Sequence, residues 1–344
     1  MLKEEKHMRR TPTKILVTAA LLILGIAFSR PGSTRELDLS VARFIECSSG
    51  GSDCRAHNDA YEKFMAEYSF GISPKLMSPA STLGYSGFYL GIETSLAAVP
   101  SSGTDAFERV NGNYDDARWR IGTAEFNAEP KRMFFPTIHV RKGLPWSFEV
   151  GSSISYLAKS ELIALGGEIK WSLFEGYKDG VLGVLPDVGV RGTVNRVIGQ
   201  SDVDMTLVGV DGSISRPFGI AGAMSIEPYA GYQFLWSIIR TEPMALYNET
   251  GVLMASGSNL YDAAEANLSG PNLTRQKIFA GFLFRYEMLA VTMDWTVGLP
   301  AKWTTQQYPD FLEVPADGAN LSMQKVDVKI SAQVAWSLGV GVQF

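Results

Sequence analysis

The sequence predicts an all-β protein, an antiparallel transmembrane β-barrel of ten to twelve strands with a short helical segment ahead of it. Three observations carry this reading. A long apolar run occurs only near the start of the chain, behind a basic cluster. Beyond it, apolar and polar residues alternate through segment after segment. The aromatic residues of those segments gather at the segment ends.

Composition sets the bounds. A chain of 344 residues allows one large β domain or two ordinary ones. Hydrophobic residues make up 46% and charged residues 19%, against roughly 25% charged in soluble domains. An outer face that meets lipid lowers charge content in this way, and so does a large buried core. The formal net charge is −5 and no basic stretch follows the first residues. Nucleic-acid binding needs a basic face, so that class is excluded.

The leader comes first. Lys3, Lys6, Arg9, Arg10 and Lys14 precede the apolar run Ile15–Phe28. A basic start and a run of this length read as a signal peptide over residues 1–29, cleaved after Ala27 or Ser29. The run is short for a membrane helix, which needs about 20 residues. An uncleaved anchor is the competing reading. No cysteine stands at the junction, which argues against a lipoprotein.

Residues 30–81 do not alternate. Cys47 and Cys54 flank a polar, glycine-rich stretch, and behind an export signal they predict a disulfide. Two free thiols are the alternative. A metal site would need more ligands than His57 supplies. Tyr61, Phe64, Met65 and Tyr68 then fall three and four apart, one face of a helix, with Asn58 as candidate cap. Ser73-Pro74 and Ser78-Pro79 end regular structure. The expectation is a clipped helix that plugs the lumen or packs under the inner mouth, with a disordered leader as the rival.

The barrel is expected over residues 82–344. Its strands are placed at 82–98, 131–142, 145–158, 161–174, 186–198, 203–215, 224–239, 275–287, 288–299 and 326–344. An extra pair could come from 115–126 and from either the early segment or 302–313. Barrels of this kind have short inner turns and long outer loops. Short links near Gly143 and Glu287 fit inner turns, and linkers 99–130, 240–274 and 300–325 fit outer loops. Residues 175–185 and Ala158–Glu161 break the trend. Tyr232, Phe234 and Trp236 mark one membrane boundary, with Phe282, Phe284, Tyr286, Trp146, Phe148 and Trp171 at the other.

The last strand gives the sharpest pattern. Val326, Val328, Ile330, Ala332, Val334, Trp336, Leu338, Val340, Val342 and Phe344 alternate with small or polar residues up to the terminus. Ser337, Gly339, Val342 and Phe344 match, in register, the C-terminal signature of Gram-negative outer-membrane barrels, which this chain resembles. The resemblance implies that these residues are read by the barrel-assembly machinery and close the barrel against its first strand. Leu76–Glu93 also resembles the start of a group of uncharacterised proteobacterial barrels.

The same parity assigns Glu149, Glu168, Lys170, Arg191, Asn195, Glu227, Gln233, Arg285, Asp294, Asp327 and Lys329 to the lumen. Mixed charges in a narrow interior should pair or meet water. A side-chain-filled interior and a narrow conduit both follow from that. The functional expectation is a small channel or transporter-like protein of unknown solute. The alternative is a structural or adhesive barrel working through its outer loops, and an outer-membrane hydrolase comes last. No cofactor or metal motif is present, and the nucleophile-elbow and zinc-protease patterns are missing. The mature chain offers His57 and an inward His139, a thin basis for catalysis. Expected partners are outer-membrane lipid, the assembly machinery and a small solute or extracellular partner.

Overall fold

The computed structural model describes residues 37, 44–47, 54–56, 58–99, 109–110, 113–114, 132–175, 185–199, 203–241, 273–307 and 324–344. The expected signal peptide, strand candidate 115–126 and most of the three long linkers lie outside the described residues.

Two short strands open the described chain, β1 (Ile45–Cys47) and β2 (Cys54–Ala56). They pair antiparallel, with Cys47 directly opposite Cys54. The helix α1 follows at Asn58–Ile72. Then come β3 (Phe88–Ala98), the two-residue pair β4 (Arg109–Val110) and β5 (Asn113–Tyr114), and β6 (Arg132–Leu144). The chain continues through β7 (Phe148–Tyr156), β8 (Ile163–Phe174), β9 (Asp187–Ile198), β10 (Val203–Ser215), β11 (Phe218–Ala221) and β12 (Met224–Thr241). It ends with β13 (Leu273–Tyr286), β14 (Leu289–Gly298), β15 (Ala301–Gln307), β16 (Gln324–Ile330) and β17 (Gln333–Gln343).

Ten of these strands form a closed antiparallel barrel, in the order β10-β9-β8-β7-β6-β3-β17-β14-β13-β12, with β12 returning to β10. Strand β17 meets the first barrel strand over the register Ala335↔Ala97 to Gln343↔Tyr89. Beyond it, Phe88 N–H donates to the Phe344 carbonyl at 2.6 Å and Phe344 N–H returns a bond to Phe88 at 2.9 Å. Closure pairs every barrel strand on both edges, as hydrocarbon surroundings demand.

The barrel has two unlike ends. At the turn end, β6 passes to β7 through Pro145–Ser147 and β13 to β14 through Glu287 and Met288. Trp146, Ser147 and Glu287 take positive φ of 59°, 59° and 50° there. Phe344 lies at this end. The opposite, loop end carries the long linkers.

The surface is inverted relative to a soluble protein. Ile154, Ile169, Val194, Ile214, Leu338 and Val340 are exposed, while Arg191, Lys170 and Lys277 are among the most buried side chains. Phe148 stacks on Trp171 with ring centres 5.6 Å apart, and Phe88 meets Phe344 at 5.3 Å, both at the turn end. Trp295 meets Trp336 at 5.8 Å, nearer the loop end. A wide apolar band between aromatic girdles is the surface of a transmembrane barrel.

The expected last strand needs correction. Val326–Ile330 does not extend the barrel wall. It forms β16, which pairs with β15 over Ala301↔Ile330 to Gln307↔Gln324 as a separate two-stranded sheet at the loop end. Ser331 and Ala332 are consecutive exposed residues, and they reverse the side-chain parity. Val328 and Ile330 are therefore buried inward, whereas Trp336 and Leu338 are exposed. Asp327 and Lys329 consequently leave the lumen list. Both are exposed, and Asp327 pairs with Lys302 at 2.7 Å on the outside of this hairpin. The extra strand expected within 302–313 is β15, which stands outside the barrel sheet.

Candidate functional site

The site is the lumen together with the segment inside it. Helix α1 buries residues on all of its faces, including Glu62, Lys63 and Glu67. Around it the inward residues of the loop-end half are apolar: Met133, Phe135, Val197, Met205, Leu207, Leu235, Ile239 and Leu273 join Tyr61, Phe64, Met65 and Tyr68 in one cluster. Leu37 and Phe44, ahead of the helix, belong to the same cluster. Phe44 packs on Tyr61 and Phe64 at 5.6 and 5.4 Å.

The helix is fixed at its start by the loop-end hairpin. The Asn58 amide donates to the Gln306 carbonyl at 2.7 Å, and Asn58 Oδ1 has no hydrogen-bond partner. Asn58 thus ties the helix to β15, a different job from the N-cap that its position suggested. Trp303 Nε1 and Thr305 Oγ1 donate to the Glu62 carboxylate at 2.5 and 2.6 Å. Burial raises the Glu62 pKa, and these two hydrogen bonds offset it in part. Tyr61 shares a 2.6 Å hydrogen bond with Thr241 at the loop end of β12, and burial pushes its phenol up to about 12.

Below the helix the inward side chains turn polar and charged, because the chain they face is irregular. Its main-chain groups need partners that no ladder supplies. Asn195 donates to the Ile72 carbonyl at 3.4 Å. Arg191 donates to Ser78 Oγ at 2.8 Å and to the Leu76 carbonyl at 3.5 Å. Lys170 donates to the carbonyls of Pro79 and Ser81 at 3.2 and 2.8 Å. Ser215 accepts from Ala80 N–H at 3.1 Å, and Glu149 accepts from Leu83 N–H at 2.9 Å. Ser81 Oγ and Ser215 Oγ both donate to Glu227, at 2.7 and 2.8 Å. Glu175, just past β8, accepts from the backbone and hydroxyl of Thr82 at 2.7 and 2.9 Å.

The charges also pair with one another across strands. Arg191 holds Asp211 through two nitrogens, at 3.1 and 3.2 Å, and lies 3.7 Å from Glu168. His139 stands between carboxylates, with Nδ1 3.0 Å from Glu93 and Nε2 3.3 Å from Glu168. Glu149 lies 3.1 Å from Lys170 and 3.6 Å from Arg141. Arg285, at the turn-end rim, reaches Glu227 at 3.8 Å. Asp294 accepts from Tyr229 and Thr296 at 3.2 and 2.9 Å, and Lys277 donates to Ser73 at 2.8 Å. Gln233 is fully buried on the inner face.

Of the expected lumen residues, Glu149, Glu168, Lys170, Arg191, Asn195, Glu227, Gln233, Arg285 and Asp294 all face inward, and most touch one network. Sequence reasoning missed Arg275, which donates to the Ala66 carbonyl at 3.3 Å and to Gln333 at 2.7 Å. Period-two parity on β13 would have found it. Contacts from the wall to the carbonyls of residues 72–81 carried no sequence signal, since they read the backbone.

A cavity of about 30 Å³ remains between the end of α1 and the wall, bordered by His139, Glu168, Thr193 and Asn195. That is room for about one or two waters. Two glycines admit the segment by close approach. A Cβ on Gly143 would fall on the Gly84 carbonyl oxygen, and one on Gly189 would lie 2.8 Å from that of Ala80. Among the described residues no group of His, Cys, Asp and Glu is arranged to hold a metal.

No protein-family model and no curated protein matches the chain. Solved structures similar in fold include the outer membrane protein OprG of Pseudomonas aeruginosa, with TM-score 0.31, 12% identity and coverage of 78% of this chain and 99% of that one. The transport unit of the autotransporter AIDA-I of Escherichia coli gives TM-score 0.28 and 8% identity over 83% of this chain and 99% of that one. Ail, the attachment invasion locus protein of Yersinia pestis, in complex with a heparin analogue, gives TM-score 0.22 and 10% identity over 76% and 99%. What this chain shares with them is the closed antiparallel barrel.

Proposed function

We propose that this chain is an integral outer-membrane barrel, closed by its own N-terminal segment, that works through its loop end as a structural or adhesive surface protein. The observation that carries the reading is the occupied lumen: α1 and residues 73–84 fill it and take up hydrogen bonds from the inward polar rows. Those rows suggested a conduit from sequence. Their partners in the structure support a seat for the plug instead. The apolar band supports residence in a bilayer, and the signal-peptide pattern with the terminal Phe344 pattern supports the outer membrane and the assembly machinery as its route there. The loop end then faces outward, carrying the long linkers and the β15–β16 hairpin to a partner. We also read the barrel as non-enzymatic: both ring nitrogens of His139 face carboxylates, which leaves neither to serve as a base.

Planar-bilayer recording tests the reading. Verified insertion with no current is the expected result. Steady single-channel current from the intact protein would overturn it in favour of the small-channel alternative.

A further inference from the structure

The direction of the plug has a topological consequence. Strand β3 starts at the turn end, where Phe88 bonds Phe344. Just ahead of it, Leu83 is held by Glu149 near the start of β7, and Gly84 lies over Gly143. The other end of the segment is at the loop end: Asn58 is tied to Gln306 and Tyr61 to Thr241. Leu37 N–H donates to the Lys159 carbonyl in the loop-end turn between β7 and β8, at 3.1 Å. The backbone from Asn58 to Gly84 therefore runs the length of the lumen with its N-terminal side at the loop end.

We propose that the barrel carries its own N-terminal segment across the membrane and displays the paired strands β1 and β2 on the outer cell surface. Export through the lumen is a function beyond closing it, and the proposal rests on the reading that the loop end faces outward. Three features support it. The turn-end half of the wall grips the segment through main-chain atoms, namely the carbonyls of Leu76, Pro79 and Ser81 and the N–H groups of Ala80, Thr82 and Leu83, and otherwise only through the small hydroxyls of Ser73, Ser78, Ser81 and Thr82. Such contacts suit whatever extended stretch occupies the position during passage. In sequence, Ser48–Asp53 between β1 and β2 holds no side chain larger than aspartate, which adds little bulk for a narrow lumen to pass. Leu37 and Phe44 are buried against α1, which anchors the displayed segment once it has arrived.

The test uses the full chain in cells, with a specific protease site inserted between residues 50 and 51 and, in a second variant, between residues 315 and 316 of the β15–β16 linker. Resistance of the barrel to a general protease after detergent extraction verifies folding of each variant. Protease is added to intact cells and to cells with a permeabilised outer membrane. The proposal expects near-complete loss of the full-length band in intact cells for both variants. Cleavage at 315 but not at 50 in intact cells overturns export while leaving the outward loop end in place. Cleavage of neither before permeabilisation overturns the orientation, and display with it. Cleavage at 50 but not at 315 places the two on opposite faces and overturns the lumen path.

Discussion

The Arg191 guanidinium lies 2.8 Å from the Ser78 hydroxyl while its other nitrogens hold Asp211 at 3.1 and 3.2 Å, so one side chain joins the plug to the wall's ion pairs. Removing it strands buried carboxylates. Arg191→Ala is expected to cost about 3–5 kcal/mol. The double change Arg191→Met with Asp211→Leu should recover much of that loss. Chemical unfolding in detergent micelles measures both, and a single variant within about 1 kcal/mol of the parent would contradict the network.

Two glycines on β9 separate the inside from the outside. Gly189 faces the plug, where an added Cβ meets Ala80 at 2.8 Å, whereas one on Gly192 has Ile169 at 3.8 Å. Gly189→Ala should lose about 1–3 kcal/mol through displacement of the segment. Gly192→Ala should stay within about 0.5 kcal/mol. Equal effects on unfolding would refute the close approach.

Val340 is exposed on β17, midway between Trp336 on the same strand and Phe344 just past its end. Val340→Arg should therefore destabilise the barrel in vesicles by about 2–4 kcal/mol. Folding titrations into lipid vesicles give the value. A negligible effect, or a parent protein that is folded and soluble without detergent, would remove the lipid.

Glu62 gives a pH dependence of known sign. Its pKa is raised from 4.5 in the folded state, chiefly by burial against the hairpin. A raised pKa favours the protonated form on folding, so the contribution is full below the unfolded pKa and fades as pH rises above about 4.5. Glu62→Gln should flatten the part of the stability profile that falls on going from acid to neutral pH. Parallel profiles for parent and variant would show that Glu62 is not the source.

Cys47 and Cys54 stand directly opposite in the β1–β2 register. Opposed residues in an antiparallel pair have Cα atoms about 4.5–5.5 Å apart, a separation that a disulfide spans. Mass mapping of the non-reduced protein should find both in one linked peptide. Two alkylatable thiols would contradict the bridge.

Period-two alternation made the barrel legible. It fixed β10 at Val203–Ser215, placed most other strands to within a few residues, began the strands at Phe88 and Gln333 six and seven residues too early, and gave inward parity to Arg191, Glu149 and Glu227. Alternation is local, and a strand's two faces are set by its own backbone. It failed at Ser331 and Ala332, where side-chain identity kept alternating while the backbone slipped by one position. That slip sent Asp327 and Lys329 outside.

The helix shows the other boundary. Tyr61, Phe64, Met65 and Tyr68 announced one apolar face, from which an exposed opposite face would follow. Yet Glu62 and Glu67 are buried too, because the barrel surrounds the helix, the β15 strand brings Trp303 and Thr305 to the Glu62 carboxylate, and Gln333 of β17 donates to the Glu67 main-chain carbonyl. By itself the sequence determined most of the strands, their facing outside Val326–Ile330 and the apolar exterior, all properties of neighbouring residues along the chain. Only the tertiary structure decided what fills the lumen and which way it runs. Those depend on side chains meeting the carbonyls of a segment more than a hundred positions away, such as Arg191 with Leu76, and a carbonyl looks the same at every residue.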